Sequence, residues 1–256
     1  MPASRLRTLN RFLLPFLLTI LAYKSQHFWG DWVRGTVRVR EPWAFDFMYF
    51  GIDTPAGRVT PNEWWREHTH WILDLLTGSF YLGFIAIYVA LSAAFHFAPH
   101  RDGRSRRLAR SMPWAFFWLN ILGYFTYYAW PAAPPWYVAG HGFGPADFSV
   151  GANPAGAAAF DRLLGTSFFS GMYGLSADVF GAVPSLHVAY PALALLYALS
   201  LGRLRLICAV YFGGMVFSAV YLNHHYVLDE LWGVIYALCV GLVFHHLARA
   251  ESDSEF

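Results

Sequence analysis

The sequence predicts an all-α integral membrane protein, a bundle of six transmembrane helices, and three observations lead there. Hydrophobic residues make up 57% of the 256-residue chain and charged residues only 13%, against about a quarter charged in an ordinary soluble domain. Apolar runs long enough to cross about 30 Å of hydrocarbon recur near residues 9–28, 72–98, 113–131, 184–202, 206–223 and 229–248. Basic residues cluster between these runs, as the positive-inside rule expects of loops. No internal repeat or linker divides the chain, so residues 1–256 form one membrane domain.

The first run follows Arg5, Arg7 and Arg11, as a signal peptide would, but no small-residue cleavage site follows it. It is therefore expected to stay as the first helix. Residues 29–70 mix Trp29, Trp32, Trp43, Trp64 and Trp65 with scattered arginines, the composition of chain lying among lipid head groups. Between the second and third runs, Arg101, Arg104, Arg106, Arg107 and Arg110 mark a cytoplasmic loop. Alternation from that loop puts both termini inside and assigns eleven of the 18 basic residues to the cytoplasmic side. Lys24, Arg34, Arg38, Arg40, Arg58, Arg66 and Arg162 remain outside.

Pro131, Pro134 and Pro135 end the third run near Trp130. The Gly-, Pro- and Ala-rich segment 132–183 that follows is too broken to span and is expected to cap the outer face like a lid. Cys208 and Cys239 fall inside expected spans without a C-x-x-C spacing and read as core residues.

Two histidines resist a packing explanation: His187, in Pro184-Ser185-Leu186-His187, and His225, in His224-His225-Tyr226-Val227-Leu228-Asp229. Ionisable groups at membrane depth are costly and by default mark function. His225 and Asp229 are four apart, which puts them on one face if a helix begins there. All three residues fall at the outer face. Three chemistries fit: zinc held by His187, His225 and Asp229; a structural histidine pair satisfied by backbone carbonyls; or phosphoryl transfer, with one histidine attacking phosphorus and the other moving the proton.

Pro184-Ser185-x-His187 resembles the second signature of the type 2 phosphatidic acid phosphatase (PAP2) superfamily, and Ser218 followed by His225-x-x-x-Asp229 resembles its third, S-R-x5-H-x3-D. Within that superfamily, Ala133-Pro134-Pro135-Trp136-Tyr137, Asn153-Pro154-Ala155-Gly156, Phe160-Asp161-Arg162-Leu163, Val179 to His187 and Tyr221 to Tyr226 are similar to the fungal inositol phosphorylceramide synthase catalytic subunits. This resemblance covers roughly residues 130–233, the motif-bearing region. It implies His225 as the nucleophile that forms a phosphohistidine, Asp229 as its orienting carboxylate and His187 as acid and base. Ser185 would hydrogen-bond a phosphate oxygen, with His224 and Ser218 in support.

The chain also departs from the pattern. The first signature, K-x6-R-P, is missing and Ala219 stands where the third has arginine, so cations that would stabilise a transferring phosphoryl group are lacking. Arg162 is the candidate replacement. The resemblance thus implies a phosphotransferase moving a phosphoinositol-like head group from a phospholipid donor to a ceramide-like lipid alcohol. It calls for no metal, cofactor or nucleic acid. A lipid phosphate phosphatase of the same fold is the alternative, and a non-catalytic membrane protein that kept the fold is a third reading. The compact chain suggests a bacterial inner membrane, with the site on the periplasmic face.

Overall fold

Local signals in the sequence set most of the helix starts. The computed structural model describes residues 3–174 and 178–253. Its helices are α1 (Ala3–Val33), α2 (Glu41–Phe50), α3 (Pro61–Glu67), α4 (Trp71–Phe97), α5 (Gly103–Ala129), α6 (Pro135–His141), α7 (Ala158–Leu164), α8 (Phe168–Tyr173), α9 (Leu186–Leu201), α10 (Arg205–Tyr221) and α11 (Val227–Asp253). A hairpin of β1 (Ile52–Thr54) and β2 (Gly57–Val59) sits between α2 and α3. Thr60 and Glu63 form a reciprocal capping box ahead of α3, and Ser185 caps α9.

Six of these helices, α1, α4, α5, α9, α10 and α11, fall on the six apolar segments. Two of them, α4 and the Val227–Ala250 part of α11, are long and apolar enough to cross a membrane by length and composition. At 1.5 Å per residue α9 and α10, with 16 and 17 residues, reach only about 24–26 Å. The α5 helix starts ten residues before the expected span because the Asp102 carboxylate accepts the Ser105 N–H at 2.7 Å. Arg104, Arg106, Arg107 and Arg110 therefore lie on the first turns of a helix rather than in a loop.

The α9 helix packs against α4, α5, α10 and α11, while α1 lies on α5. Tyr81, Tyr88, Leu119, Leu193, Tyr197 and Met215 fill the interior. Large apolar side chains such as Leu17, Leu21, Leu206, Val210, Leu242 and Val243 face outward. Polar side chains are found inside, as with the 2.6 Å bond from the Tyr190 hydroxyl to Asn120 Oδ1. At the α9–α11 crossing a Cβ on Gly233 would come within 2.4 Å of the Ser185 carbonyl oxygen. Glycine there is what lets the two backbones meet.

The tryptophan-rich segment is folded onto one end of the bundle. Trp32 is exposed, but Trp43 donates to Glu63 and Trp65 packs edge-on against Phe217 and Tyr221. Two of its polar side chains reach across the chain. Buried Asp46 accepts the Val227 and Leu228 N–H groups at 2.8 and 3.0 Å, acting as a remote cap for α11. Buried Asn62 donates to the carbonyls of Val220 and His225 at 3.0 and 2.9 Å. Segment 132–183 contains the short helices α6, α7 and α8. It is stitched down by Trp136 N–H to the Asn223 carbonyl and Gly156 N–H to the Leu222 carbonyl.

Two outcomes follow from this packing. Replacing Gly233 with alanine should destabilise the protein by about 1–3 kcal/mol, measured by denaturation in detergent, and lower activity by parting α9 from α11. Burial, reinforced by the Asp229 charge and opposed by the two N–H donors, pushes the Asp46 carboxyl up to about 7. The folded chain thus holds this proton to higher pH than the unfolded chain does, so the Asp46 contribution is greatest below about pH 4 and is lost as pH rises towards 7. The melting-temperature advantage of wild type over Asp46→Asn should accordingly shrink between pH 5 and pH 7.5.

Candidate active site

The site forms where two chain reversals meet at one end of the bundle. In the first, Ser185 is fully buried, its Oγ accepts the Val188 N–H at 3.4 Å and its own N–H donates to the Asp229 carbonyl at 2.8 Å. That places His187 in the first turn of α9. In the second, the Ala219 carbonyl accepts both the His224 and the His225 N–H at 3.1 Å. Asn223 takes the left-handed conformation the reversal needs, with φ of 62°, a region asparagine tolerates better than most residues.

His225 and Asp229 do meet, though α11 begins only at Val227. Asp229 turns back to accept the Tyr226 N–H at 2.8 Å, which brings the same oxygen, Oδ2, to 3.4 Å from His225 Nδ1. The Ala182 carbonyl lies 3.1 Å from that nitrogen. Both neighbours of Nδ1 are acceptors, so Nδ1 holds the proton and Nε2 presents its lone pair. His225 Nε2 lies 3.1 Å from His187 Nδ1, which then supplies the proton of that hydrogen bond. The three side chains thus form a chain of contacts from a buried carboxylate through one imidazole to a second. The His187 ring is held between Tyr81, stacked at 4.2 Å and 16°, and Phe84 at 4.3 Å.

The other expected residues are placed differently. His224 lies between the Tyr173 ring, at 4.8 Å and 3°, and the Tyr81 ring, at 4.9 Å and 17°. Its ring nitrogens meet the Tyr173 hydroxyl and the Pro154 carbonyl at 3.1 Å. Burial, together with the neighbouring His225, pushes His224 down to about 3, so it is a neutral spacer and brings no positive charge. Ser218 spends its hydroxyl on the Gly214 carbonyl at 2.6 Å within α10. The Ser185 oxygen caps α9 as an acceptor, which leaves its O–H to donate. Arg162 is exposed on α7 and makes no hydrogen bond or ion pair among the described residues. Its neighbour Asp161 is the structural member of that motif, accepting the N–H groups of Phe169 and Ser170.

Among the described residues no arginine or lysine side chain hydrogen-bonds His187, His225 or Asp229. A half-buried cation does stand near the stretch of chain that leads to Ala182: Arg34 pairs with Asp178 at 2.5 Å and lies over the Tyr128 and Phe148 rings. Asp46, Asn62, Tyr81 and Phe84 also went unread in the sequence. Only Asp46 left a trace there, as an isolated carboxylate in the aromatic stretch Trp43 to Phe50.

The PAP2 superfamily matches residues 59–243. A phosphoinositol dihydroceramide synthase of Bacteroides thetaiotaomicron is 33% identical over 245 residues, 94% of this chain and 78% of that protein. An inositol phosphorylceramide synthase of Candida albicans is 36% identical over 132 residues, 51% of this chain and 28% of that protein. The inositol phosphorylceramide synthase catalytic subunit of Schizosaccharomyces pombe is 34% identical over 173 residues, 66% of this chain and 40% of that protein. No solved structure is a significant match. With its matched stretch spanning both histidine turns, the chain belongs to the PAP2 superfamily.

Proposed function

We propose that this protein is a membrane phosphotransferase that moves a phosphoinositol head group from a phospholipid to the hydroxyl of a ceramide-like lipid through a phosphohistidine on His225. The observation that carries the reading is the 3.1 Å contact between His225 Nε2 and His187 Nδ1, with Asp229 behind the first ring. The bacterial and fungal relatives support the substrate class.

In the first step His225 Nε2 attacks phosphorus and the bond from phosphorus to the diacylglycerol oxygen breaks. His187, as the imidazolium, gives its Nδ1 proton to that oxygen and becomes neutral, and diacylglycerol leaves. In the second step His187 takes the proton of the acceptor alcohol. The alcohol oxygen attacks phosphorus, and the P–N bond breaks to restore His225. Asp229 keeps the Nδ1 proton in place and stabilises the positive charge that builds on the ring.

Two features favour transfer over hydrolysis. His225 and Asp229 are nearly or wholly shielded from solvent, and exclusion of water lets a lipid alcohol compete for the phosphohistidine. The scarcity of cations around the histidines suits a diester with one negative charge better than a monoester with nearly two. We further infer six membrane crossings, by α1, α4, α5, α9, α10 and α11, with both termini cytoplasmic and the histidines on the periplasmic side of a bacterial inner membrane. The exposed leucines and valines of α1, α10 and α11 and the basic first turns of α5 support that orientation.

Thin-layer assay of purified protein with labelled phosphatidylinositol and a short-chain ceramide tests the reaction. A new phosphoinositol lipid should appear only with ceramide and should vanish in His225→Ala. Asp229→Asn should keep the fold and lose about 10²- to 10⁴-fold in kcat. Cleavage of phosphatidylinositol should outrun that of phosphatidate. Phosphate release from phosphatidate with no new lipid would make the protein a phosphatase instead.

A further inference from the structure

One buried carboxyl group has neither a place in the reaction above nor a partner among the described residues. Five carboxylates are buried among the described residues: Asp46, Asp74, Asp161, Asp229 and Glu230. Four of them are met by donors. Asp46 takes two backbone N–H groups, Asp74 the Tyr221 hydroxyl, Asp161 the Phe169 and Ser170 N–H groups and Asp229 the Tyr226 N–H. Glu230 is 4% exposed and has no side-chain hydrogen bond or ion pair among the described residues, with Oε1 fully enclosed. A carboxylate buried without a partner is among the most costly arrangements a fold can keep.

Its position explains where a partner would come from. Glu230 follows Asp229 in the first turn of α11 and shares a helix face with Gly233, the residue that abuts the Ser185 carbonyl. That face of α11 therefore looks onto the turn carrying His187. The group lies within electrostatic reach of Asp229, of Asp46 on α2 and of Tyr81 on α4, whose ring stacks on His187. No cation is among these neighbours. Its carboxyl oxygens accept hydrogen bonds, and the protonated acid also donates one. A ligand that brings hydroxyl groups satisfies it without carrying a further charge into the buried site.

We propose that Glu230 receives hydroxyl groups of the polar substrate and is a specificity residue of the same site, an inference that rests on the phosphoinositol-transfer reading. Two sources offer such hydroxyls: the polyol head group of the donor and the alcohol of the acceptor lipid. Both leave the roles of His187, His225 and Asp229 unchanged.

The test compares full-length wild type, Glu230→Leu and Glu230→Gln in detergent, with melting temperatures measured alongside. One arm follows diacylglycerol release from phosphatidylinositol alone, and the other follows transfer to a short-chain ceramide. Glu230→Leu should melt no lower than wild type, because it removes an unmet polar group, yet lose at least about tenfold in kcat/KM for transfer. Glu230→Gln, which keeps an acceptor oxygen, should fall between them. Loss in both arms with a raised KM for phosphatidylinositol assigns the hydroxyls to the head group. Loss of transfer with diacylglycerol release intact assigns them to the acceptor.

Wild-type kcat/KM in both arms for Glu230→Leu overturns the proposal. If that variant does not fold, the same result for Glu230→Gln overturns it. A wild type that releases phosphate from phosphatidate and leaves phosphatidylinositol untouched overturns the transfer reading and this inference together, and is recognised before any variant is compared.

Discussion

Everything in this structure that bears on chemistry depends on keeping two imidazole rings in contact in a place with little water. The His187–His225 hydrogen bond is 3.1 Å long, and it joins the first turn of α9 to the turn between α10 and α11. It survives because each ring is fixed from behind: His187 between Tyr81 and Phe84, His225 by a backbone carbonyl and a carboxylate. Removing water strengthens such polar contacts, and it also raises the cost of leaving any one of them unmade. The surrounding turns are accordingly dense with backbone hydrogen bonds. A single carbonyl, that of Ala219, holds two successive histidines, and the carbonyl of His225 is itself held by a side chain 163 positions away.

How the bundle is built follows from the same constraint. A long helix can run across a membrane with its backbone satisfied internally, but a catalytic turn between helices cannot. Its free N–H and C=O groups need partners from elsewhere. Here they come from α2, α3 and the stretch before α9, which is why these segments are folded against the end of the bundle. In the same way the tryptophans of residues 29–70 divide between exposed Trp32 and the packed indoles of Trp43 and Trp65.

The sequence made the helices legible because periodicity and apolar length are local properties, and all six expected segments became helices. Their ends were less so. Asp102 starts α5 well before its apolar run, and two of the six helices are too short to reach across about 30 Å unaided. The histidine pair and Asp229 were legible through motif spacing. The functions of their neighbours were not. Ser218 looks like a hydrogen-bond donor in its motif, but its hydroxyl is spent on a carbonyl one turn back, whereas the Ser185 oxygen accepts the Val188 N–H as a helix cap and keeps its own O–H to donate. Arg162 supplied a charge of the right sign and proved to be exposed. Asp46 and Asn62 act across 158 to 182 positions, a separation at which sequence pattern carries no signal.

The reach of Asp46 also bears on which part of the chain can stand alone. The family match begins at residue 59, yet the first turn of the helix carrying Asp229 takes its cap from residue 46. The portion that defines the superfamily is therefore not a self-sufficient cassette. Transplanted without the preceding α2, it would carry both histidines and the carboxylate into a new host while leaving two amide groups beside them unanchored.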